Sequence, residues 1–240
     1  MSRSGATTSH SRRDFIRWGA VGLPVVIAGC QAFNADAGRR SLESFEVVYD
    51  GVGHRCLFDT TGSPSGGNVL AIILLHGAAE TGSQWERIGL EDVVDNLDIG
   101  SQALVAVAPD LGRPTFAESF VTDALIPAID ERFAPSHYAI SGISRGGAMA
   151  LDLALRHPSL FRSVGLHSPA SDLRRTVDPI PWRCWLDIGR EDYLLDGALN
   201  TARSLSDSGV DVVEHIWTGD HEDAYWKRHL ADYLAFHLDT

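Results

Sequence analysis

Lysine is nearly missing from this 240-residue chain: Lys227 is the one lysine among its 20 basic side chains, the others being arginine. GC-rich codons or a salty habitat would each produce that bias, which bears on habitat rather than activity. Basic residues are also outnumbered by 32 acidic ones, for a net charge of −12. Such a surface repels phosphate backbones and excludes nucleic acid as a partner. Cysteine is scarce, with only Cys30, Cys56 and Cys184, so no disulfide scaffold is on offer. Cys56 and Cys184, on predicted strands, could pair in an oxidising compartment. No histidine or cysteine spacing matches a zinc or haem site, and no metal or other cofactor is expected. There is no repeat of 20 to 50 residues and no long low-complexity tract, which excludes solenoids and propellers.

A membrane-spanning run is lacking too. The longest apolar stretch near the N-terminus, Trp18 to Gly29, is too short to cross a bilayer comfortably. It follows Arg12-Arg13-Asp14-Phe15 and ends at Ile27-Ala28-Gly29-Cys30, so residues 1–29 are expected to be a twin-arginine-type lipoprotein signal. Cys30 would then be the lipidated first residue, anchoring an exported protein to the outer side of a cell membrane. Residues 30–43, polar and small, read as a tether, and residues 44–240 as one domain.

What is present has a clear rhythm. "FEVVYD" and "HRCLFDT" flank Gly51-Val52-Gly53 and predict a hairpin. "VLAIILL" and "ALVAVAP" are buried apolar runs, and "HYAIS", "SVGLHS", "WRCWLDIG" and "DVVEHIW" are further strand patterns, separated mostly by helical ones. The first helical pattern is expected over "SQWERIGLEDVVDNL" and the second over "ESFVTDALIPAIDERF"; others follow at 144–156, 197–208 and 222–238. Apolar strands alternating with amphipathic helices require a sheet covered on both faces. The fold class is therefore α/β, doubly wound, with a mostly parallel sheet and an antiparallel N-terminal hairpin. Ligands of such sheets bind beyond the carboxyl ends of the strands.

At one such end stands Gly142-Ile143-Ser144-Arg145-Gly146, of the form G-x-S-x-G. Alone it is weak, but a strand precedes it and a helical face (Ala148, Leu151, Leu155) follows, as a nucleophile elbow demands. A serine nucleophile needs a base, an orienting acid and oxyanion donors. His221, in the loop after the last strand, is the candidate base; His215 lies in a strand, and His229 and His237 in the final helix. Asp192 in "REDYLL" is the candidate acid, with Glu191 and Asp196 as alternatives, whereas Asp187 lies roughly 16 Å down its strand. The backbone N–H groups of Ala78 and Arg145 are the candidate oxyanion hole. Glu80 and Trp85 are candidate substrate-lining residues, with an exposed glutamate and a core tryptophan as the equal alternatives, and His76 is expected to be structural.

The segments "LLHGAAETGSQW", "VAVAPD", "LIPAIDERF", "SGISRGGAMALDLALRHPSLFRSVGLHSPA", "GREDYLL" and "GDHEDAYWKRHLADYLAFHL" together resemble the esterase family related to esterase D and the feruloyl esterases. That family belongs to the α/β-hydrolase superfamily. The resemblance implies a serine esterase with Ser144, Asp192 and His221 as its triad, acting on acyl groups of sugars, glutathione-type thioesters or lipids. The short 167–182 connection departs from lidded relatives. It argues for little or no lid and for small or surface-displayed esters. Acyl transfer to an alcohol, or glycan binding without catalysis, are the alternative readings.

Overall fold

The computed structural model describes residues 41–62, 67–112 and 117–239. The expected signal segment and Cys30 lie outside these residues. Strand β1 (Glu43–Tyr49) turns back into β2 (Val52–Thr61) through Asp50 and Gly51, both at positive φ, 50° and 73°. Two consecutive positive φ angles match the twist of paired strands, which is why an Asp-Gly pair sits there. β1 takes in Glu43, and the Leu42 before it is buried.

Six further strands follow: β3 (Val69–Leu75), β4 (Ala103–Pro109), β5 (His137–Ile143), β6 (Ser163–His167), β7 (Arg183–Gly189) and β8 (Val212–Trp217). They form one eight-stranded sheet in the order β1-β2-β4-β3-β5-β6-β7-β8, with β1–β2 and β2–β4 paired antiparallel and β3 to β8 all parallel. The doubly wound sheet with its antiparallel start is as the sequence predicts. β3 and β4 are buried at every position because both faces are covered.

Alternate residues feed two cores. Val69, Ala71, Ile73 and Leu75 point to one side, where α4 (Ile126–Phe133), α5 (Arg145–Arg156) and α6 (Leu195–Asp207) pack. Leu70, Ile72 and Leu74 meet α1 (Ser83–Arg87), α2 (Leu90–Asn96) and α7 (Asp223–Leu238) on the other. The strand order reverses at β3, between β4 and β5. The crevice at that reversal is where the elbow serine emerges.

Two helical expectations need correction. The pattern over 83–97 is not one helix: Gly89, at φ 97°, ends α1 and starts α2. The pattern over 118–133 is α3 (Ala117–Phe120), a π-helical turn (Val121–Leu125), then α4. Pro127 has no N–H for the carbonyl four residues back, and the wider turn makes room for its ring. The Cys56–Cys184 pairing that the sequence leaves open is not formed. Both thiols are buried and free, on strands five positions apart in the sheet, about 24 Å at the usual spacing. A disulfide needs Cα atoms within about 7 Å.

Candidate active site

Ser144 is the one residue between β5 and α5, so it alone turns the chain. Its φ of 55° and ψ of −117° are strained for a residue with a side chain, a cost of about 1–3 kcal/mol. Three backbone bonds hold it there: its N–H donates to the His167 carbonyl at 2.8 Å, and its carbonyl accepts Ala170 N–H at 2.9 Å and Ala148 N–H at 3.2 Å. The flanking glycines follow from close approach. A Cβ on Gly142 would lie 2.2 Å from the Gly146 carbonyl carbon, and one on Gly146 2.3 Å from the Leu75 oxygen.

His221 arrives from the loop after β8. That loop is tied to the one after β7: Glu191 N–H donates to the Gly219 carbonyl at 3.1 Å, and the Glu191 carboxylate accepts Gly219 N–H at 2.7 Å. The imidazole lies between two partners. Its Nδ1 is 2.8 Å from Asp192 Oδ2, and its Nε2 is 2.9 Å from Ser144 Oγ. With Nδ1–H donating to the carboxylate, Nε2 is left as the acceptor for the serine proton. The Trp226 ring stands edge-on to His221 at 5.0 Å.

The Asp192 carboxylate has no exposed surface and accepts Leu194 N–H on Oδ1 at 2.9 Å. Burial alone would raise its pKa. The His221 hydrogen bond, the Leu194 N–H, the His221 charge and the Ser168 hydroxyl outweigh that and hold it below the usual carboxylate value. The carboxylate therefore stays ionised beside the imidazole, as an orienting acid must.

The loop after β3 flanks the other side of Ser144, because β3 and β5 are neighbours. A Cβ on Gly77 would sit 3.7 Å from the Ser144 Cβ. Gly77 N–H is committed to Gln84 Oε1 at 2.8 Å. Ala78 is exposed at this edge. Arg145 N–H opens α5, so no helical carbonyl takes it. The Arg145 guanidinium reaches the Gly77 carbonyl at 3.4 Å. His76 is structural: Nε2 accepts Leu111 N–H at 3.2 Å, Nδ1 lies 2.9 Å from the Gly77 carbonyl, and burial leads in lowering its pKa.

Trp85 is not a substrate-lining residue. It is fully buried and packs edge-on to His167 at 6.2 Å. Glu80 is half-exposed and paired with Arg87 at 3.0 Å. Among the alternatives, Glu191 ties the two loops together and Asp196 lies exposed in the first turn of α6. His215 and His229 both stack on Trp217, at 4.5 and 3.8 Å.

Asp187 belongs to a second serine-histidine-aspartate set beneath the first, which the sequence reading missed. Ser141 Oγ is 2.6 Å from His167 Nε2, and His167 Nδ1 is 2.7 Å from Asp187 Oδ1. Trp185 Nε1–H and Tyr233 O–H also donate to Asp187, at 2.9 and 2.8 Å. Ser141, His167 and Asp187 are each at most 1% exposed. Every member is satisfied and none reaches solvent, so the set holds β5, β6, β7 and α7 together rather than performing chemistry.

The fold and the Ser144–His221–Asp192 chain define an α/β-type serine hydrolase. A family model described as "Putative esterase" matches residues 63–228, more than half of the chain, and the chain belongs to that family. It is a serine carboxylester hydrolase. Comparison with curated proteins gave no match. Among solved structures, a fluorophosphonate-binding serine hydrolase of Staphylococcus aureus is similar at 16% identity, TM-score 0.69, with 85% of this chain and 100% of that one covered. An S-formylglutathione hydrolase from Staphylococcus aureus is 15% identical, TM-score 0.66, with 82% and 98% covered. A ferulic acid esterase from Anaeromyces mucronatus is 12% identical, TM-score 0.65, with 90% and 98% covered. At such identities the likeness is one of fold.

Proposed function

We propose that the protein hydrolyses small or surface-displayed carboxylic esters, such as acyl or feruloyl esters of sugars, through an acyl-enzyme on Ser144. The observation that carries this reading is the unbroken chain from Ser144 Oγ through His221 to Asp192, at 2.9 and 2.8 Å. Ser144 Oγ attacks the ester carbonyl carbon while His221 Nε2 takes its proton. The oxyanion that forms accepts hydrogen bonds from the Ala78 and Arg145 N–H groups. His221 then gives the proton to the departing alkoxide, which leaves as alcohol. Water, deprotonated by the same Nε2, attacks the acyl-enzyme and releases the acid. Asp192 stabilises the imidazolium in both halves.

The β6–β7 connection supports small or displayed substrates. It runs from Ser168 to Trp182 without a helix, and its Leu173, Val177 and Ile180 pack onto the core. No lid is built from it. The same proposal places the protein outside the cell, anchored by a lipid on Cys30. Cys30→Ala is then expected to shift it from the membrane to the soluble fraction.

The test is labelling of the purified protein with a fluorophosphonate, with the adduct mapped by mass spectrometry before and after heat denaturation. An adduct on Ser144 in the folded sample alone supports the mechanism. Folded protein without an adduct overturns it. Including glycerol in ester assays separates hydrolysis, which yields free acid, from acyl transfer, which yields a glycerol ester.

A further inference from the structure

Tyr193 follows the acid of the triad and is 75% exposed; among the described residues the only other large apolar side chain counted as exposed is Val52. Its exposure is not the accident of a loose loop. Asp192 N–H donates to the Gly189 carbonyl at 3.2 Å, Leu194 N–H to Asp192 Oδ1 at 2.9 Å, and Leu195 N–H to the Asp192 carbonyl at 3.1 Å. The backbone is therefore fixed on both sides of Tyr193. Its ring stands 4.9 Å from that of His221, tilted by 55°.

The sheet order assigns the two halves of an ester to different sides of Ser144. The β3 loop, which carries Ala78, lies on one side, and the loops after β7 and β8, which carry Tyr193 and His221, lie on the other. The carbonyl oxygen goes toward the β3 loop. The alkoxide must sit within about 3 Å of His221 Nε2 to receive its proton. On that side stands the Tyr193 ring, 75% exposed and next to the His221 ring, within reach of a group attached to that oxygen.

We propose that Tyr193 is a specificity-determining residue that stacks against the alcohol half of the substrate, and that this alcohol is a sugar whose ring presents a flat C–H face. The proposal rests on the ester-hydrolase reading of the same site. A tyrosine loses little side-chain freedom on binding and offers a large amphipathic face, which suits it to this task.

The experiment compares kcat/KM for methyl 6-O-acetyl-glucopyranoside and for ethyl acetate in the wild type, Tyr193→Ala and Tyr193→Phe. A third ester, ethyl 3-phenylpropanoate, moves the ring to the acyl half. Tyr193→Ala is expected to lower the ratio of sugar ester to ethyl acetate about tenfold, or 1.4 kcal/mol, chiefly through KM. Tyr193→Phe should retain the ratio within twofold. An unchanged ratio in Tyr193→Ala, or a loss that follows the acyl ring instead, overturns the proposal while wild-type turnover leaves the hydrolase reading intact. A folded wild type inert toward all three esters overturns both.

Discussion

At the scale of single residues, two serine-histidine-aspartate sets lie close together, and burial decides which one reacts. Ser144 is 8% exposed at the crevice, while Ser141 is 1% exposed beneath it. Ser144→Ala and Asp192→Asn are each expected to lower kcat by about 10³-fold or more, since members of such a unit fail together. Circular dichroism should show both variants folded. Ser141→Ala should instead keep fluorophosphonate labelling at Ser144 but lose about 1–3 kcal/mol of stability, because His167 Nε2 is left without its donor. A thermal melt run beside the labelling checks both halves. The first set was readable in the sequence because the elbow is a local motif and the order serine, acid, histidine is one the fold uses. The second was not, because Ser141, His167 and Asp187 meet only through strand pairing. Trp85 stayed open between pocket and core for a like reason: position in the chain says nothing about which way an indole points, and packing settles it for the core.

At the scale of elements, the backbone's tightest contacts carry the site. Gly146 packs against the Leu75 carbonyl of β3, and that strand is itself hydrogen-bonded to β4 and β5. It has no room to yield. Gly146→Ala is therefore expected to unfold the domain or cost more than about 2 kcal/mol, with loss of Ser144 labelling. Gly100, at φ 57°, has nothing within 4 Å of an added Cβ. Gly100→Ala should cost only the left-handed strain, about 1 kcal/mol, and leave labelling unchanged. Denaturant melts of the two variants measure the difference between crowding and strain. The break between α1 and α2 escaped the sequence reading because Trp85, Ile88 and Val94 keep a helix-like apolar pattern across it. Gly89 breaks the backbone without interrupting that pattern. The π-helical turn escaped because apolar periodicity hardly differs between α and π geometry over five residues.

At the scale of the whole molecule, alternating strand and helix patterns announced a covered parallel sheet but not the order of its strands. That order follows from which face each connecting helix covers: α1 and α2, between β3 and β4, lie on one face and α4, between β4 and β5, on the other, and the right-handed crossover rule then sends β4 and β5 to opposite sides of β3. The same packing puts α7 against the sheet and seals His237 inside it. Its Nδ1 lies 2.8 Å from Ser163 Oγ, and burial, followed by the charge of His167, lowers its pKa from the ordinary 6.5 to about 3. Around it stand His167, Ser141 and Ser163; His167 Nε2 and His237 Nε2 would each lie 3.0 Å from a Cβ on Gly165. Between those two pKa values the unfolded chain binds a proton that the folded one refuses, so stability must fall as pH falls through that window. The depressed Asp192 carboxyl adds to the loss at the acid end, because its stabilising bonds need the ionised form. Wild-type stability, from urea melts between pH 7 and pH 4.5, is therefore expected to decline with acid. His237→Gln should lower stability at neutral pH yet flatten the slope by up to about 1.4 kcal/mol per pH unit, the limit for one proton. Parallel curves for the two proteins would mean that His237 takes up its proton without unfolding the domain, and that the interior around Gly165 is open to water.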